Sequence, residues 1–114
     1  MSNIVSLRLY FQSSLKAQPS RRLHRVFRPS LASHLLHHAS REGIEQAILH
    51  QVHAGYLKGT TLSIQNAEAT QPHHPHCIEL IDIEEKLRGF LQRHKHHLAQ
   101  VRIVFLGAEI AGSL

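Results

Sequence analysis

Residues 72–91, PHHPHCIELIDIEEKLRGFL, decide the fold because the hydrophobic period changes inside them. Residues 76–81, HCIELI, have the apolar, partly β-branched content of a strand. Beyond Asp82, the residues Ile83, Leu87, Phe90, Leu91, His94 and Leu98 fall on one helical stripe. Asp82 is the N-cap candidate, with Glu85 three residues on in capping-box spacing. A strand therefore feeds directly into an amphipathic helix, and three histidines (His73, His74 and His76) crowd its entrance.

Working outward, IVSLRLYF at 4–11 alternates, with Val5, Leu7, Leu9 and Phe11 on one face and Ser6, Arg8 and Tyr10 on the other. That is the period of a half-buried strand. SLASHLLHHASREG then places Leu31, Ala32, Leu35, Leu36 and Ala39 on one helical face, with Ser30 as N-cap and Gly43 as the stop. IEQAILHQVH, 44–53, reads as a strand with apolar residues on both sides, and VRIVFLG, 101–107, as a closing one. Residues 54–75 show no clean period, although TTLSI has strand character. A loop of this length in a small domain is more often functional than inert.

The order is βαββαβ. Right-handed crossovers then favour a four-stranded antiparallel sheet with both helices on one face, a ferredoxin-like α+β sandwich occupying residues 1–114 as one domain. The strands at 4–11 and 76–81 should be central. Arg8, Glu79 and Arg102 should share the face away from the helices, where Glu79 is placed to bridge two arginines if sister subunits cover it.

Composition narrows the function classes. With 42% apolar residues in 114, one core is affordable and a second domain is not. The run from Ile4 to Phe11 is too short for a membrane span and has no basic leader, so a cytoplasmic protein without membrane insertion is expected. Cys77 is the single cysteine, which excludes an internal disulfide and a multi-thiolate zinc site. Residues 1–41 carry +7 and residues 42–114 carry −2. The basic stretch KAQPSRRLHRVFRP lacks the interleaved aromatics of single-strand binders, and CIELID offers no aromatic for base stacking, so nucleic acid is not the expected partner.

Twelve histidines remain to be explained. His34 and His38 are one helical turn apart and project with His37 and Arg41 from the face opposite the leucine stripe, which reads as a solvated helix face. His73, His74 and His76 are the candidate ligands for a divalent metal, because prolines stiffen the loop and neutral imidazoles suit zinc, copper or nickel. His94 shares an apolar stripe and reads as packed, His96 points outward and His97 sits at the border. No HExxH spacing, nucleophile elbow or phosphate-binding glycine loop is present, and Glu84 and Glu85 suit a helix N-terminus. A binding or regulatory protein, not an enzyme, is expected.

LRLYFQSS, REGIEQAILHQVHAGY and CIELIDIEEKLRGFL together resemble successive landmarks of the "domain of unknown function" family numbered 190, a PII-like group. The resemblance covers most of the chain. It implies a ferredoxin-like protomer that assembles as a homotrimer, binds an adenine nucleotide in the cleft between subunits, and signals to a protein partner through the loop 54–75. On that resemblance Gly55, Tyr56 and Lys58 form the loop base of the nucleotide site, with Lys95 and His97 approaching a phosphate from a neighbouring subunit. Gln51, Val52 and Leu57 depart from the family pattern, which carries an arginine and two glycines there. The alternative reading is a histidine-rich metal-binding trimer similar to CutA.

Overall fold

In a computed structural model, residues 3–18, 28–66 and 71–112 are described. The residues between 18 and 28, which carry most of the basic connection, lie outside them. Strand β1 spans Ile4–Gln12, helix α1 Leu31–Arg41, strand β2 Gln46–His50, and two short strands follow, β3 at Ala54–Gly55 and β4 at Ser63–Ile64. Strand β5 spans Pro75–Ile83, helix α2 Glu84–Arg93, and strand β6 Arg102–Gly107, with a 3-10 turn Lys95–His97 between the last two.

The four long strands form one antiparallel sheet in the order β2-β5-β1-β6. This is the expected ferredoxin-like layout with β1 and β5 central. Register follows the alternation of the sequence: Leu7 faces Leu80 and Leu9 faces Ile78, whereas Arg8 faces Glu79. Side chains alternate across a strand, so the first two pairs enter the core and the third lies on the opposite face. The core joins Val5, Leu7, Leu9, Phe11, Ile78 and Leu80 of the sheet to Leu31, Leu35 and Ala39 of α1 and Leu87 and Phe90 of α2. Both helices therefore cover one side of the sheet.

Local chemistry sets the helix ends. The Ser30 side chain accepts the Ser33 N–H at 3.1 Å, an N-cap that satisfies one of the first-turn donors. At the other end Gly43 adopts φ 72°, and the amides of Gly43 and Ile44 return to the carbonyls of Ser40 and Ala39. A residue with a Cβ is disfavoured in that left-handed conformation, so glycine ends the helix cleanly.

Asp82 does not cap α2 as its spacing suggested. Strand β5 continues to Ile83, which occupies the N-cap position without a side-chain bond. The Asp82 carboxylate is used otherwise: it accepts from the amides of Glu45 (2.8 Å) and Ile83 (2.7 Å) and pairs with Lys86 at 3.2 Å. It ties the end of α1 to the β5–α2 junction.

The segment 54–75 is more organised than its sequence suggested. Strands β3 and β4 pair antiparallel, the Leu57 carbonyl accepts the Thr60 amide at 2.9 Å, and the Gln65 amide reaches the His53 carbonyl at 2.7 Å. Residues 67–70 lie outside the description.

Candidate functional site

The sheet face away from the helices carries a polar centre on an apolar frame. Glu79 on β5 accepts from Ser6 Oγ at 2.7 Å and Arg8 Nε at 3.2 Å, while His50 Nε2 stands 3.2 Å from its other oxygen. The Ser6 hydroxyl leads the interactions that hold the Glu79 carboxyl below its ordinary range, with burial opposing and His50 and Arg8 assisting. Among the described residues His50, not Arg102, supplies the second basic group that the alternation had assigned to Glu79. Around this centre Ile48 on β2 and Leu106 on β6 are each 41% exposed.

Where the loop base meets the start of β6 there is a cavity of about 280 Å³ lined by Tyr10, Gln12, Leu57, Lys58, Thr60, Gln100, Val101 and Arg102. It holds two cations, Lys58 and Arg102, and no carboxylate, so its electrostatics favour an anion. Lys58 was expected at such a site from the resemblance. Gly55 lies half-buried in β3 and Tyr56 is 69% exposed next to it. Lys95 is exposed at the start of the 3-10 turn, and His97 is buried at its end. Neither Lys95 nor His97 lines this cavity of the same chain.

The three histidines around the start of β5, His73 and His74 before it and His76 within it, serve different neighbours. His73 Nε2 lies 3.2 Å from Thr61 Oγ1. His74 is buried; its Nε2–H donates to the Val52 carbonyl at 2.6 Å and its Nδ1 meets Ser63 Oγ at 2.8 Å. A carbonyl only accepts, so the Nε2 proton is fixed, and both ring nitrogens are engaged in holding β4 against the end of β2. His76 sets its ring edge-on to Phe11, with centroids 5.8 Å apart, and burial lowers its basicity. Among the described residues these three do not gather their ligand atoms into one group.

Convergence occurs instead at the seam between the two helices. His34, His94 and His97 bring one ring nitrogen each within 4.8 Å of one another, and His38, Glu42 and His94 do the same. The sequence reading of His34 and His38 as a solvated face is corrected here. The turn Lys95–His97 folds over that side of α1, so the His34 ring lies 4.1 Å from His97 and 4.3 Å from His38 between centroids. His37 and Arg41 do remain exposed, and His96 points outward as expected. His94 closes α2 as its C-cap and is buried, as its place on the apolar stripe indicated.

Within the seam, His94 Nε2 donates to Glu42 Oε2 at 2.6 Å, and Arg93 Nε donates to Glu42 Oε1 at the same distance. Burial opposes ionisation of Glu42, but these two donors outweigh it and hold the carboxyl below its usual range. Burial, then the adjoining His97, His38, His94 and His96 rings, push His34 down to about 4. Burial, then His96, His94 and His38, do the same to His97, also to about 4. Both rings are therefore neutral at pH 7, and the His97 lone pair on Nδ1 accepts the Gln18 amide N–H at 2.9 Å. Glu42 was not foreseen as part of any site, since an acid just before a helix-ending glycine signals nothing by itself.

No helix among the described residues is long and apolar enough to cross a membrane. A search of curated proteins finds no match. The profile of one family, described as "Uncharacterized ACR" and designated DUF190, a domain of unknown function, matches residues 19–110, the span that holds the helix seam, the loop and three of the four long strands. On that match the chain belongs to the DUF190 family.

Proposed function

We propose that this protein is a PII-like ligand-sensing subunit: it assembles as a homotrimer through the uncovered sheet face, binds an adenine nucleotide at the base of the loop 54–75, and signals to a protein partner through that loop. One observation carries the reading. Lys58, on the loop, and Arg102, at the start of β6, line the same open cavity with no carboxylate between them. An ammonium and a guanidinium facing one space favour phosphate, and occupancy there would fix the posture of the loop relative to the sheet. Tyr56, exposed beside the cavity's Leu57 and Lys58, supplies a ring for a base to stack on.

The uncovered face supports the assembly. Its exposed Ile48 and Leu106 flank a Glu79 that already accepts from Ser6 and Arg8 and pairs with His50, so covering the face leaves this carboxylate partnered. Calorimetric titration with ATP, ADP and AMP tests the ligand. Saturable heat with at least one of the three, weakened roughly tenfold or more by the Lys58→Ala, Arg102→Ala double variant, is the expected result. Absence of heat with all three from folded protein, or affinity indifferent to the double variant, rejects the site.

A further inference from the structure

We propose that the seam between α1 and the end of α2 is a site for a borderline divalent transition cation of the zinc, cobalt or nickel class, ligated by His34, His94 and His97. It uses none of the residues that line the Lys58–Arg102 cavity and does not rest on the nucleotide reading.

Four observations converge on it. The three side chains, from two separate helical segments, offer nitrogens mutually within 4.8 Å, close enough for small side-chain rotations to bring them to the roughly 3.4 Å separation of tetrahedral nitrogen ligands. His34 Nε2 is buried without a hydrogen-bond partner, and a buried orphan of that kind costs free energy unless something fills the place. His94 already gives its Nε2–H to Glu42 at 2.6 Å, which fixes the tautomer and leaves Nδ1 with the lone pair. That carboxylate–histidine arrangement is how ligand imidazoles are oriented around metals. Finally, a depression of about 250 Å³ lined by Pro29, Ser33, His34, His37, His38 and Arg41 gives solvent a route to the seam.

The overlapping group of His38, Glu42 and His94 is not the site. Both Glu42 oxygens are engaged, by Arg93 and His94, and the Arg93 guanidinium repels a cation placed against them. Glu42 is therefore a positioning residue. Three imidazoles leave room for water in the fourth tetrahedral place.

His97 gives the proposal a distinctive mark. Its Nδ1 accepts the Gln18 amide N–H at 2.9 Å. Coordination through Nδ1 displaces that donor, and coordination through Nε2 moves the ring proton to Nδ1, where it faces the same N–H. Either way the Gln18 amide loses its acceptor.

The test is titration of the full chain with cobalt(II), read by its visible absorption and by displacement with zinc(II), beside amide NMR of the zinc titration. One cation per chain is expected, with affinity reduced at least thirtyfold in His34→Gln and His94→Gln, about tenfold in Glu42→Gln, and less than threefold in His38→Ala, His96→Ala and His37→Ala. Circular dichroism establishes that each variant is folded. In the unaltered protein zinc should shift the Gln18 amide, a readout that stands even if a variant does not fold. No binding, binding that survives His34→Gln and His94→Gln, loss on His38→Ala, or shifts confined to residues 73–76 would overturn the assignment.

Discussion

His94 Nε2 and Glu42 Oε2 lie 2.6 Å apart, and this contact joins the C-terminal ends of the two helices. The imidazole is buried, so the carboxylate is its substitute for water. Glu42→Ala should lower stability by about 1–3 kcal/mol, since it strands the buried N–H and removes the partner of Arg93. Urea denaturation measures it. His94→Phe, which fills the space without the donor, should cost less than Glu42→Ala; a larger loss would mean that packing, not polarity, governs the seam.

Stability should fall with acid in a window set by the same rings. His34 and His97 titrate at about 4 in the folded protein and near 6.5 in the unfolded chain, so between those values the unfolded state binds more protons. Their contribution is whole above about pH 6.5 and is lost as pH drops toward 4. The neighbours are His38, His94, His96, Arg41, Arg93 and Glu42, and lowering of the Glu42 carboxyl adds a loss of the same sign at still lower pH. After allowance for solvent screening the drop from pH 7 to 5 is roughly 2 kcal/mol. Thermal melts across that range should show it, and His34→Gln should flatten the slope. A melting temperature constant from pH 7 to 5 would contradict the neutral-ring assignment.

His74 should act as a clamp on the loop. It links the Val52 carbonyl to Ser63 Oγ and so holds β4 near the end of β2. His74→Ala should speed hydrogen exchange at the Gln65 and Thr60 amides by tenfold or more, with global stability lower by about 1–2 kcal/mol. Unchanged exchange at those two amides would show that the β3–β4 pairing stands without the clamp.

Burial of the sheet face by sister subunits is open to a charge test. Ile48→Asp or Leu106→Asp places a carboxylate where the proposed interface excludes water, and either should shift sedimentation from the assembled to the single-chain mass at micromolar concentration. Sedimentation of the unaltered protein as a single chain would sink the assembly.

Gly43, at φ 72°, should resist substitution. Gly43→Ala is expected to cost about 1 kcal/mol by conformation alone, because the added Cβ meets nothing nearer than the flexible Lys86 amine at 3.8 Å. A neutral effect in urea denaturation would mean that the helix terminus relaxes.

Much of the architecture was legible because burial imposes a period. The alternation of Val5, Leu7, Leu9 and Phe11 and the stripe of Leu87, Phe90 and Leu91 each reported a face, and the order of elements then left few sheets to choose from. Asp82 misled because spacing within the helix cannot reveal a distant competitor: the Glu45 amide, 37 residues away in sequence, claims its carboxylate, which Lys86 on the first turn of α2 also pairs with. The segment 54–75 was unreadable for a related reason, since strands of two residues have no measurable period and the contact that organises them comes from His74.

The sequence by itself determined strands, helices, their faces, the family landmarks and the abundance of imidazoles, since these depend on near neighbours along the chain. Which histidines meet was decided only by tertiary structure. His34 and His94 are sixty residues apart, and no spacing rule joins them. They touch because packing both helices on one side of the sheet brings their ends together, and the turn after α2 then closes over rings that an isolated helix would have left in water.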